Sequence, residues 1–215
     1  MVTIKGALTQ PSPASRQLQR WWFGLVAKAR LLAGRPLAAL EAYRLLVSLD
    51  PKDQRALLAC ASLLAQTDDV AGAIATLRRL LALRPDDADA NFNLGYLLEK
   101  QGKLGEAEAC FRKAIAAQPA LDRAWYGLGL ALVQQDRLED AASAFERNTK
   151  LQPFNPYGWY QLGMTHHHLG QEREANAVYE TLQRFEPRYA ATLRRDLQTT
   201  PRRGRPAASE EQPCS

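Results

Sequence analysis

The sequence predicts an all-α chain made of stacked helix–turn–helix repeats. Three observations predict it. Prolines stand at Pro51, Pro85, Pro119, Pro153 and Pro187, each 34 residues after the last, and a fixed period of roughly 20–50 residues is the signature of a repeat array. Small residues recur in the same register, at Ala39, Ala73, Ala107, Ala141 and Ala175 and at Ala27, Ala61, Gly95, Gly129 and Gly163. Ala, Leu, Arg, Gln and Glu dominate and strand formers are scarce, a bias toward helix.

Aligned on the prolines, the repeats run 20–53, 54–87, 88–121, 122–155 and 156–189. Each column has a physical reason. The two small columns let helix backbones approach closely. Large side chains fill the space between paired helices at Tyr43, Leu77, Phe111, Phe145 and Tyr179 and at Phe23, Leu57, Trp125 and Trp159. Gly34, Asp68, Gly102, Asp136 and Gly170 fall where the chain must turn, a geometry Gly and Asp tolerate. The proline closes each repeat, because it has no N–H to continue a helix.

The edges agree with this register. Pro36 is placed to open the second helix of repeat 1, and Asn155-Pro156 reads as a cap followed by a first-turn proline. Residues 188–198 carry Tyr189, Leu193 and Leu197 on one side and Arg194, Arg195 and Asp196 on the other. That is the pattern a terminal capping helix needs. Residues 1–19 are expected to be a flexible lead-in, and residues 199–215 a disordered basic and polar tail.

Composition sets bounds on function. The 215 residues are 46% hydrophobic and 24% charged, ordinary values for a globular protein. No apolar run is long enough to span a membrane, and the first twenty residues lack a secretory pattern. Cys60, Cys110 and Cys214 are odd in number and far apart, which fits reduced thiols in a bacterial cytoplasm better than a disulfide framework. The net charge of +5 comes from the two ends: residues 54–187 hold fourteen basic and seventeen acidic side chains. The basic balance therefore does not by itself point to nucleic acid.

The run Trp125-x-x-Leu128-Gly129-x-x-Leu132 with Ala141, Phe145 and Pro153 resembles the tetratricopeptide repeat, as does Leu94-Gly95 with Ala107, Phe111, Ala114 and Pro119. The resemblance covers residues 20 to about 198 in five registered copies. It implies a right-handed α-solenoid of five repeats plus the capping helix, acting as a non-enzymatic scaffold or assembly adaptor. Departures are the missing glycine at the eighth column of repeats 1 and 2, Asn148 where a small residue is usual, and His166 in place of an aromatic.

The same resemblance implies a concave groove lined by the first helices. Its partner-binding residues are expected to be Phe92, Tyr96, Arg123, Tyr126, Leu130, Tyr160, Met164 and His167. Exposed aromatics flanked by polar groups suit a protein-binding surface, here for a peptide or helix of another protein; the alternative is that these rings pack under neighbouring helices. The basic clamp that grips a terminal carboxylate in some relatives is matched only in part: Asn93 and Arg123 fit two of its positions, while Leu58, Ser62 and Gly127 depart from it.

Other chemistry is weakly supported. His166, His167 and His168 are consecutive, so on a helix they point about 100° apart and do not converge on a metal. One ring is expected to pack and two to face outward. No G-x-S-x-G, H-E-x-x-H or phosphate-binding loop occurs, and no cofactor or metal is expected. Arg202, Arg203 and Arg205 form a short basic tract with Gly204, like the core of a minor-groove hook. It supports an alternative reading as a nucleic-acid-associated regulator. Trp21 and Trp22 are expected to cover the open N-terminal end or to join two copies of the chain, with membrane contact a weaker option.

Overall fold

The computed structural model describes residues 13–201, and among them every regular element is a helix. The chain divides into two compact units, residues 1–85 and 86–215. Unit 1 holds α1 (Pro13–Leu32), α2 (Pro36–Leu49), α3 (Gln54–Gln66) and α4 (Val70–Leu83). Unit 2 holds α5 (Ala88–Lys100), α6 (Leu104–Ala117), α7 (Asp122–Gln134), α8 (Leu138–Leu151), α9 (Pro156–His168), α10 (Glu172–Phe185) and α11 (Pro187–Thr199). The second helices start at 36, 70, 104, 138 and 172, so the 34-residue period of the prolines is the period of the fold.

Local chemistry explains the turns and the start of α2, α3, α4, α5 and α9. Gly34, Asp68, Gly102, Asp136 and Gly170 all have positive φ, between 60° and 74°. A side chain in this region is strained unless it is short and polar, which is why only Gly and Asp occupy the column. Asp53, Asp69 and Asp87 accept the backbone N–H of Ala56, Gly72 and Ala90 and so cap α3, α4 and α5. Asn155 caps α9 ahead of Pro156, and Pro36 opens α2.

Within unit 1, α1 packs on α2, α2 on α3, and α3 on α4. Within unit 2 each helix packs on the next, and two first helices, α5 and α7, also meet. The core rows are the small and large columns together. Ala39, Ala73, Ala107 and Ala141 are fully buried, as are Leu77, Phe111 and Phe145 to within 1%. A methyl group at Gly129 would lie 2.5 Å from the Phe145 ring. The equivalent positions in repeats 1 and 2 are the buried alanines Ala27 and Ala61.

The indoles of repeats 4 and 5 serve the turns. Trp125 Nε1 donates to the Pro119 carbonyl at 2.9 Å, and Trp159 Nε1 to the Pro153 carbonyl at 2.8 Å. Each ties the proline-bearing loop to the helix that follows it.

Three boundaries differ from the sequence expectation. α1 starts at Pro13, inside the segment expected to be flexible up to residue 19. Proline is tolerated in a first turn, and Ala14, Arg16, Gln17, Leu18 and Gln19 are good helix formers. α11 starts at Pro187 itself, whereas α3, α5, α7 and α9 start three residues after their proline. The last helix is therefore out of register with a sixth repeat, and it runs on to Thr199. Arg202, Arg203, Arg205 and Cys214 lie outside the described residues.

Candidate partner-binding surface

The first helices of unit 2, and α11 after them, are joined side by side by polar pairs whose partners lie about one repeat apart in sequence. On α7, Arg123 forms an ion pair with Asp89 of α5, and the Gln134 amide donates to Glu99 of α5. Tyr126 of α7 shares a hydrogen bond with Gln161 of α9. The Tyr160 hydroxyl of α9 donates to Asp196 of α11 at 2.7 Å. One face therefore runs from α5 through α7 and α9 to α11.

The expected binding residues divide into two groups on this face. Tyr96 (45% exposed) and Arg123 are open to solvent. So is Tyr157, at 57%. The Lys100 ammonium stands 4.9 Å over the Tyr96 ring, and the Arg123 guanidinium 4.6 Å over Phe92, so cations already sit on two of the π faces. Phe92, Tyr126, Leu130, Tyr160 and Met164 are half-buried. Phe92 lies 6.0 Å from Phe111 and packs on Ala114, Leu121 and Ala124, and Tyr126 meets Phe145 edge-on at 5.9 Å. These two rings serve helix packing as well as the surface, so for them the packing alternative holds in part. A side chain as large as Phe or Tyr reaches both the seam and the solvent.

His167 needs correction. It is 8% exposed, and its Nε2 lies 2.9 Å from the Thr200 carbonyl at the end of α11. His166 is equally buried, with Nδ1 2.7 Å from Gln171 Oε1. Two of the three rings are thus packed, where one was expected, because α11 covers this end of α9. Among the described residues no group of three His, Cys, Asp or Glu side chains is arranged to hold a metal.

Electrostatics follow from the same contacts. Burial, and then the hydrogen bond to the Asp196 carboxylate, push the Tyr160 phenol up to about 12. The donated bond and Arg195 hold Asp196 below the usual carboxylate range. Burial raises the Tyr126 phenol, against the opposing hydrogen bond with Gln161. In unit 1, Cys60 is 4% exposed and burial pushes its thiol up to about 11, so it is a core side chain rather than a reactive one.

Sequence reasoning passed over Phe154, which is 78% exposed in the loop before α9 with its ring 5.9 Å from Phe185. It follows the repeat proline and belongs to no helical column, so periodicity carries no signal for it. Trp21 and Trp22 of unit 1 are 65% and 55% exposed, together with Leu18, Leu25 and Leu32 on the same helix. No helix among the described residues is long and apolar enough to cross a membrane.

A family model described as tetratricopeptide repeat matches residues 26–88, 58–122, 92–156 and 126–191. The chain belongs to the tetratricopeptide repeat family. The overlapping matches follow the helix pairs, each spanning about two repeats. Among solved structures this tetratricopeptide repeat chain is similar to MamA, at a TM-score of 0.72 and 21% identity over 77% of this chain and 97% of that one. A MamA fragment from Desulfovibrio magneticus RS-1 gives 0.73 and 24%, over 79% and 96%. YrrB, titled a TPR protein with an unusual peptide-binding site, gives 0.68 and 18%, over 79% and 88%. At these identities the likeness is one of fold. Among curated proteins none is a significant sequence match.

Proposed function

We propose that the chain is a non-enzymatic scaffold or adaptor whose unit 2 captures a peptide or helix of another protein on the face of α5, α7 and α9. The observation that carries this reading is the exposure of Tyr96, Arg123 and Tyr157 on a face whose other aromatics are only half-covered. Folding alone does not require large aromatic area to be left in water, and such area beside a cation and amide groups suits a partner that supplies both apolar and polar contacts. The peptide-binding site named for YrrB supports the same use of the fold. Leu130 and Met164 supply the deformable apolar floor, since Met adapts to varied side chains.

The test is affinity capture with the full chain, comparing it with a Tyr96→Ala, Tyr157→Ala variant. These two rings are chosen for their exposure; because Tyr157 also meets Tyr189 of α11 edge-on at 5.4 Å, equilibrium unfolding is followed beside capture. The reading expects partners to be lost while the helical circular dichroism is unchanged. Unchanged capture by the variant would refute it.

A further inference from the structure

Helix α1 has two apolar faces. It packs on α2 with Ala27 fully buried. The opposite side carries Leu18, Trp22, Leu25, Ala29 and Leu32, spaced by four, three, four and three residues. This is the spacing of a seam that one other helix covers along its length. Leu18, Trp22, Leu25 and Leu32 are 67%, 55%, 48% and 90% exposed, and Ala29 is exposed too. Trp21, 65% exposed, borders the stripe.

The stripe is not shaped for a further repeat stacked ahead of α1. Inside each unit the column of Trp22 holds small, buried residues, Ala56 in α3, Ala124 in α7 and Gly158 in α9. A methyl group at Gly158 would lie 2.1 Å from Asn148 of α8. At Gly127, in the column of Leu25, one would lie 2.7 Å from the Phe111 ring of α6. The second helix of a preceding repeat closes in on these columns, and the indole of Trp22 keeps one from seating in the same way.

Charge argues against an anionic lipid surface. α1 carries Arg16, Arg20, Lys28 and Arg30 and no acidic side chain, but two of these cations are engaged within unit 1. Arg20 places Nη1 3.1 Å from Asp50 and Nη2 3.0 Å from Asp53, and Arg30 donates to the Ala38 carbonyl at 2.7 Å. A helix that rests on anionic lipid needs its cations at the headgroups. The uncharged stripe leaves on the order of 700 Å² of apolar surface in water, close to the roughly 800 Å² that each partner gives to a standard interface.

We propose that this stripe is a dimerisation face, on which α1 of a second copy packs antiparallel about a two-fold axis. The stripe is complementary to itself in that direction. Trp22 of each copy lies against the partner's Leu25, and Leu18 against the partner's small Ala29, so large meets small at both ends. Lys28 falls beside the partner's Trp21, a cation–π contact. Parallel packing would instead set Trp22 on Trp22 and align the two helix dipoles. A face of this size with no buried hydrogen bonds suits a micromolar pairing, so dilute chain is monomeric and its own stability does not depend on the stripe. The face belongs to unit 1 alone and is independent of the partner-binding reading of α5, α7 and α9.

Sedimentation equilibrium of the full chain across the micromolar range tests this. A shift from the 23.9 kDa monomer to twice that mass is expected with rising concentration. Trp22→Glu should raise the dissociation constant by about tenfold or more, and Lys28→Gln by about two- to fivefold. Chains carrying Leu18→Glu or Ala29→Lys should each self-associate weakly but pair when mixed, because antiparallel packing sets position 18 against position 29. Tyr96→Ala with Tyr157→Ala should leave the dimer unchanged. These side chains are exposed, so helical circular dichroism reports whether each variant is folded. A monomer at every concentration overturns the proposal, as does a dimer indifferent to Trp22→Glu or a failure of the two charged chains to pair. Association only after residues 1–12 are removed overturns it by giving the stripe to that segment. Flotation of monomeric chain with phosphatidylserine vesicles, lost in Trp22→Glu, overturns it in favour of lipid.

Discussion

The two terminal helices are finished differently. α11 turns Ala190 and Leu193 inward and leaves Arg188, Arg194, Arg195 and Gln198 to the solvent. α1 turns Ala27 inward but leaves Leu18, Trp21, Trp22, Leu25 and Leu32 in water, the last at 90% exposure. A repeat array needs a polar outer face at each end, because an end repeat lacks the neighbour that would cover it. The C-terminal helix meets that need within the described residues. The N-terminal helix keeps the apolar face of an interior one. One end is sealed by its own sequence, and the other presents a surface of the kind that partners cover.

Breaking the seal should have the largest effect. Leu193 is fully buried, so Leu193→Ala is expected to cost about 2–5 kcal/mol in urea or thermal unfolding. Leu25→Ala on α1 is the matched control at 48% exposure and should stay within about 0.5 kcal/mol. Similar costs for both would erase the distinction between the two ends.

A second test probes an interior seam of unit 2 for comparison with the ends. Asn148 donates its amide to the Asp122 carbonyl, while its Oδ1 is buried with no hydrogen-bond partner. A methyl group at Gly158 would lie 2.1 Å from that oxygen. Gly158→Ala should destabilise by about 1–3 kcal/mol through overpacking. In an Asn148→Ala background the same change should cost clearly less, since the clashing atom is gone. Additive costs in equilibrium unfolding would show that the contact is not the cause.

The open end supplies a third test. Trp22→Gln with Leu25→Gln removes apolar area already in water, so stability should move by no more than about 0.5 kcal/mol, while binding of a hydrophobic dye should fall. Undiminished dye binding would locate the accessible apolar surface elsewhere.

The smallest effect concerns pH. Asp196 has its folded-state pKa depressed below 3.8 by the hydrogen bond from Tyr160 and by Arg195. Its contribution is therefore complete above that value and is lost as pH falls through the depressed one. Hydrogen exchange should show α11 loosening at the acidic end of a titration, and Asp196→Asn should flatten that change. Tyr160 titrates near 12, so no loss from this pair is expected between neutrality and mildly basic pH.

Much of the fold is legible in the residue order alone. Five prolines at one spacing, together with a Gly/Asp column that must adopt positive φ, set the length of every helix pair before any contact is known. These are local signals, because backbone torsion and the missing proline N–H act on the residue that carries them. The binding face was only half legible. Column position placed Phe92 and Tyr126 on the first helices, but their contacts with Phe111 and Phe145 depend on how far a neighbouring helix stands from the seam.

His167 and the ion pairs of Arg20 mark what residue order could not decide. His167 occupies an expected surface position and is covered only because α11 begins three residues early and reaches it with Thr200. Arg20 of α1 pairs with Asp50 and Asp53, about thirty residues away in sequence, and no local pattern announces that contact. Residue order by itself determined the period, the turns and the family. Tertiary structure decided which faces stay open, because exposure depends on what a distant segment covers, and that distance is not written in any local pattern.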